Sequence, residues 1–272
     1  MRHTASSTVQ PVHVLREHAT ALEAAVTVAL ADATPKAVHK LHTESRRIEA
    51  LLDVLTRIKE LPPFRRKAAK LLRELKKLRR AAGHVRDLDV QQELLKDNLP
   101  SSGSTKSRKG MQRSRAGQRK HAIRELHDLL TERQRKIAHR IEAVLKALEP
   151  AEALILSARD LLELVRSGFE STHALVINHP SSEHLHSIRK AAKLSRYQAE
   201  LAPGSAAARR IAKSYESLQE SGGSWHDWLN LAGLAINELG DGHPTAMHFV
   251  QLRDRHLDAF RNQIDAMRDG AA

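Results

Sequence analysis

Residues 38–54 read VHKLHTESRRIEALLDV, and 147 positions later residues 185–201 read LHSIRKAAKLSRYQAEL. Each stretch opens on an apolar residue and a histidine, His39 in the first and His186 in the second. At the third and seventh positions after that histidine stand basic or imidazole groups: His42 and Arg46 in one copy, Arg189 and Lys193 in the other. Steps of three and seven stay within about 60° of arc on an α-helix. The spacing therefore predicts two helices, each with a cationic stripe, and a stripe written twice suits an extended polyanion.

The rest of the chain reads as helix around them. Hydrophobic residues make up 41% of the 272 but aromatics only 3%, so the core must be built from Leu, Ala, Ile and Val. These recur with helical periodicity and few Gly or Pro interrupt them, which points to an all-α protein. The length allows one large domain or two halves of ordinary domain size. Absence of cysteine excludes disulfides, thiolate metal sites and a cysteine nucleophile, and suits a reducing cytoplasm. No apolar run approaches the roughly 20 residues of a membrane span. Residues 1–10 lack the apolar core of a signal peptide and are expected to form a short flexible tail.

Charge separates the halves. Residues 1–148 hold 32 Lys and Arg against 16 Asp and Glu, and residues 149–272 hold 13 against 16, so the net +13 lies wholly in the first half. One-sided excess of this kind favours a polyanionic partner such as nucleic acid or a phosphate polymer.

In order, helices are expected over about 11–33, 35–61, 64–82 (ended by Gly83), 87–99, 112–148 and 151–177. After Pro180 come the helix of the second stripe, which Pro203-Gly204 ends, and helices over about 206–221, 224–239 and 244–267. Residues 100–111, rich in Ser, Gly and Lys, read as a mobile basic loop. Each half runs stripe helix, amphipathic helix, glycine, short helix with an Asp: AAGHVRDLDV in the first, SGGSWHDWLN in the second. That order predicts two related helical bundles, in halves 11–148 and 151–269. Asp87 and Asp227 would open the short helices, capping backbone amides or tying to a stripe arginine, and Trp225 and Trp228 would be core.

The third helix carries the densest charge. Arg66, Lys70, Arg73, Lys76, Lys77 and Arg80 fall within about 120° of arc over roughly 21 Å, opposite Leu71, Leu72, Leu75, Leu78 and Ala82. A merely solvated face would interleave acids at i,i+4; here Glu74 alone flanks the row. His186, Arg189, Lys190, Lys193 and Arg196 form the second stripe, with the Tyr197 hydroxyl at its edge. Guanidinium forks match phosphate oxygens and lysines act as point charges. His39 and His186 either bond a backbone carbonyl or donate to a phosphate oxygen. Arg47 and Arg86 stand beside these groups.

Enzyme templates fail. His39-x-x-His42 lacks further metal ligands at motif spacing, GSTKSRKG (103–110) lacks a phosphate-loop ending, and no serine elbow is present. No cofactor and no metal are expected.

The twin histidine stripes, the G-x-x-R-D-L-D-V segment from Gly83 and the pattern L-H-x-I-R-K-x-x-K-x-x-R-Y from Leu185 together resemble the conserved-histidine α-helical domain, the CHAD family, over about residues 11–269. The resemblance implies two pseudo-symmetric four-helix bundles meeting along a central basic groove. It also implies binding of inorganic polyphosphate and association with polyphosphate granules in the cytoplasm. Three positions depart from the family pattern: His42 and His226, where arginine is usual, and Glu49, where a base is common. The expectation is a non-catalytic polyphosphate-binding module, with nonspecific binding of the DNA or RNA backbone as the alternative.

Overall fold

Pro11 begins the first helix, α1 (Pro11–Ala31), where the missing N–H would have had no helical partner. The Thr34 side chain accepts a hydrogen bond from the Ala37 amide and caps α2 (Pro35–Arg57), again with a proline in its first turn. The Ser181 hydroxyl does the same through the His184 amide for α6 (Ser182–Ala199). The remaining helices are α3 (Arg65–Asp97), α4 (Thr105–Leu148), α5 (Ala158–Ile177), α7 (Ala206–Leu239) and α8 (Pro244–Asp269). Gly240, at φ 90°, takes the left-handed conformation that ends α7. The computed structural model describes residues 7–98, 105–177 and 181–269, and among these eight helices account for nearly all regular structure. The all-α expectation is met.

Five sequence expectations are corrected. Gly83 and Gly223 do not end helices but lie inside α3 and α7, so ten expected helices become eight. An interior glycine costs only about 1 kcal/mol, too little to interrupt flanks that bury Leu78, Ala82, Val85 and Leu88, or Leu218 and Trp225. Asp87 and Asp227 are consequently helix-interior residues, where neighbouring amides are already bonded within the helix. Of the expected loop 100–111, residues 105–111 belong to α4 and 100–104 lie outside the described residues. The expected tail 1–10 is ordered where it is described: β1 (Thr8–Val9) pairs antiparallel with β2 (Leu156–Ser157), Thr8 opposite Ser157. The segment 151–157, expected as helix, holds this strand, and α5 begins only at Ala158.

The chain divides into two compact units, one of Met1–Gly83 with Glu125–Glu216, the other of His84–Arg124 with Ser217–Ala272. They do not follow the halves 11–148 and 151–269, because α3, α4 and α7 each supply residues to both. A helix of 44 residues is roughly 66 Å long, about twice the width of a small domain.

In the first unit α2 is the central element, packed against α1, α5 and α6. Val38, Leu41, Ile48, Leu51, Leu52 and Leu55 are all buried along it. At its end Arg57 pairs with Asp53 (2.6 Å) and donates to the Leu164 carbonyl of α5 (2.9 Å). Its guanidinium lies where a β-carbon at Gly168 would stand. Asp53 also accepts from Gln198 of α6 (2.7 Å). Glu44 is only 1% exposed and accepts from Lys40 (2.6 Å), His18 of α1 (2.8 Å) and Arg47 (3.3 Å). Burial alone would raise its pKa, but His18 and Lys40 outweigh that and bring it from 4.5 to about 2.

The second unit is closed by Leu95, Met111, Leu231, Ala235, Ala246 and Phe249 around Trp228. Trp225 stacks on Phe260 at 5.7 Å, so both tryptophans are core, as expected.

Two measurements follow from this packing. A β-carbon at Gly83 or Gly223 would meet nothing within 4 Å, so alanine at either should raise unfolding free energy by about 0.5–1 kcal/mol in a urea titration. The Glu44 contribution is present above its unfolded pKa and lost as pH falls toward about 2. Circular dichroism should therefore record acid unfolding in that window, and Glu44→Gln should flatten the pH slope while lowering stability at neutral pH.

Candidate functional site

The first stripe divides on α2. His39 is exposed, whereas His42 is 7% exposed and faces into the packed side of the helix. The two basic side chains that follow are already engaged by acids. Arg46 pairs with Glu49 at 2.9 Å, and Arg47 with Glu44 and, across to α6, with Glu200 at 3.7 Å. Glu49 also receives Arg79 of α3 at 2.8 Å.

Arg79 was not foreseen as a structural group. It is 8% exposed, donates to the Ser45 carbonyl (3.4 Å) as well as to Glu49, and ties α3 to α2. Burial lowers its pKa to about 10, Glu49 opposing the shift and Arg46 adding to it. A signal was present: Arg79 falls among Leu72, Leu75 and Leu78 on the helical wheel, and a base on an apolar face requires an acid partner.

On α6, Leu185, Ile188, Ala192 and Ala199 are buried and the second stripe rises along the other side. Lys190 is exposed, while His186, Arg189 and Lys193 are half-buried. Tyr197 is buried, with the Arg196 guanidinium 5.8 Å from its ring centre. Arg196 pairs with Glu200 at 2.7 Å and with Glu216 of α7 at 2.8 Å. Burial disfavours its charge, but Glu200 and then Glu216 outweigh burial and raise its pKa. Arg47 and Arg196, one from each stripe, thus converge on the Glu200 carboxylate. The structure brings the two stripe helices together at that acid and at the Asp53–Gln198 bond.

The α3 row is different. Arg66, Lys70, Arg73, Lys76, Lys77 and Arg80 are all exposed. Among the described residues only Lys77 of the six has an acid within 4 Å, Glu74 at 3.9 Å. Glu74, expected on the flank of the row, is 6% exposed and turned toward α4, where Arg133 (3.0 Å) and Lys136 (3.4 Å) hold it. Burial would raise its pKa; Arg133 and Lys136 outweigh burial and lower it. The acid nearest the row in sequence is thus occupied elsewhere. Arg86 is half-buried and belongs to the second unit. His226, on α7 of that unit, is half-buried with Asn230 Nδ2 at 3.3 Å.

A groove of about 790 Å³ lies between α1 and α4 in the first unit, with Arg16, Glu23, Arg135, Glu142 and Lys146 on its walls. It contains none of the expected binding residues, and its charges are mixed. Among the described residues no three His, Asp or Glu side chains are grouped to hold a metal ion. No helix there is long and apolar enough to cross a membrane.

His186 provides a check on these electrostatics. Burial, then Arg189 and Lys190, lower its pKa below 6.5. In an NMR titration Arg189→Gln with Lys190→Gln should therefore move its midpoint upward.

A family profile described as CHAD domain matches residues 13–235. Among solved structures, the CHAD domain from the plant Ricinus communis aligns with TM-score 0.66 and 21% identity, covering 96% of this chain and 93% of that one. PptA from Streptomyces chartreusis aligns with TM-score 0.61 and 18% identity, covering 95% of each. At these identities the likeness is one of fold. No curated protein matches the chain.

Proposed function

The chain belongs to the CHAD domain family, and on that footing we propose that it binds inorganic polyphosphate without turning it over. The observation that carries the reading is the α3 row: six exposed cations over roughly 21 Å, with one distant acid among them. Like charges at i,i+4 destabilise a helix, and an anionic polymer laid along the row removes that repulsion. The mixture of Arg and Lys suits a repeating, flexible ligand, because guanidinium forks grip oxygens in a fixed geometry and ammonium groups follow the local charge. The row supplies charge and donors, the equipment for holding a polymer rather than cleaving it.

The α2 and α6 stripes join in a second role. Arg46, Arg47 and Arg196 sit in ion pairs with Glu49, Glu200 and Glu216, so a phosphate chain would have to compete with those carboxylates. His186 would take up a proton as phosphate neutralises Arg189 and Lys190 beside it. In the cell this activity would place the protein at polyphosphate granules. Scarcity of aromatics, 3% of the chain, leaves few stacking platforms of the kind single-strand nucleic-acid binders use.

Titration with long-chain polyphosphate at about physiological salt, with duplex DNA and RNA as competitors, tests the reading. Tight binding that matched nucleic-acid phosphate fails to displace is the expected result; equal displacement would replace it with nonspecific backbone binding. Arg73→Glu with Lys76→Glu should weaken binding by about a hundredfold or more. Both side chains are exposed, so helicity should not change.

A further inference from the structure

Glu200 stands where helix physics would not put an acid. It is the residue that ends α6, its amide bonded to the Arg196 carbonyl. The C-terminal end of a helix carries partial negative charge and favours a cation. The carboxylate is tolerated there because bases receive it. Its Oε1 accepts from Arg196 Nε at 2.7 Å, and its Oε2 lies 3.7 Å from Arg47 Nη2 of α2. One carboxylate thus spans two guanidinium groups, one from each stripe helix, with a different oxygen turned to each. Arg47, Arg196, Glu200 and Glu216 all belong to the first unit.

Two features separate this contact from the struts of the same unit. The first is exposure. Arg79, which ties α3 to α2, is buried, whereas the Glu200 side chain is 28% exposed and Arg47 and Arg196 are half-buried. Ion pairs open to water to that degree contribute little and exchange readily. The second is that each arginine has another acid behind it, Glu44 for Arg47 and Glu216 for Arg196. Both guanidinium groups therefore keep their orientation when Glu200 leaves. What remains between them is a place for one anionic group with two oxygens, which a phosphoryl group supplies as well as a carboxylate does.

Resting on the polyphosphate reading, we propose that Glu200 is an internal competitor for phosphate: its carboxylate occupies Arg47 and Arg196 in the free protein and is exchanged for a phosphoryl group of the polymer. The polymer then takes over the link between α2 and α6 that it displaces. Being tethered, the carboxylate acts at high effective concentration. An isolated anion competes poorly against it, while a polymer already held through neighbouring phosphates competes on equal terms. Glu200 thereby sets the affinity of the stripes and keeps single anions off them.

The test measures long-chain polyphosphate binding by the full chain with Glu200→Gln, alone and combined with Arg47→Gln and Arg196→Gln. Glutamine keeps the shape and removes the competing charge. Affinity should rise about fivefold when Glu200 alone is changed and should not respond to that change once the two arginines are gone. Glu200→Asp retains the charge but withdraws it by one methylene, and should also bind more tightly; it carries the test if a glutamine variant does not fold. An equal gain with and without the arginines overturns the proposal, because the effect is then one of net charge. Weaker binding by Glu200→Gln at unchanged circular dichroism overturns it by making Glu200 a support for the arginines, and unchanged affinity overturns it too. In those three outcomes the wild-type protein still binds polyphosphate and the reading beneath stands. A wild-type protein that does not bind the polymer removes both.

Discussion

Burying the Glu44 carboxylate is the constraint from which the first unit is arranged. An ion removed from water costs several kcal/mol even after relaxation, on the order of the whole stability of a domain, so Glu44 must be surrounded by cations. Lys40 and Arg47 supply two from α2 itself, and the His18 ring adds a hydrogen bond from α1. That requirement fixes how α1 and α2 face each other. It also holds Arg47 at an angle from which it reaches Glu200 on α6. The two histidine-stripe helices are aligned by the same set of ion pairs that keeps the carboxylate ionised.

Acids divide the cations of this protein into three populations. Arg79, Arg115, Arg119 and Arg133 are paired with partners on other helices and act as struts. Arg46, Arg47 and Arg196 are partly exposed and paired, hence oriented and exchangeable. The outer row of α3 has almost no acid within reach among the described residues. The first half of the chain holds the whole charge excess; its inward bases Arg79, Arg115 and Arg119 are neutralised, while the outward α3 row is left almost without acids.

How much of this was legible depends on the length of chain over which a signal acts. Helical periodicity in segments such as 11–31 and 35–57 repeats over many turns, and those helices were read within a few residues of their ends. The α3 row followed directly, because its six bases share an arc and the leucines opposite them define the core. Signals that turn on a single residue failed. Gly83 and Gly240 look alike locally, yet only Gly240 ends a helix. After it come Asp241, Gly242 and Pro244, which cannot continue α7, whereas no Gly or Pro follows Gly83 until Pro100. Pairings between distant segments were illegible too. Nothing near Thr8 announces its strand partner at Ser157, and nothing near Glu74 announces Arg133. Arg79 stands between these cases: its place on the apolar face was visible, but Glu49 as its partner required the packing of α3 on α2.

The contact between Arg57 and Gly168 has a consequence for descent. The guanidinium is held at one end of α2 by Asp53 and by the Leu164 carbonyl, so it has little freedom to move aside for a β-carbon on α5. The positions are 111 residues apart in the chain but are sterically coupled. A lineage that shortens the side chain at 57 opens space at 168, and one that enlarges 168 first loses the bridge from α2 to α5. Of the two orders in which such a pair can be exchanged, only the one that begins at 57 passes through an intermediate without a steric collision.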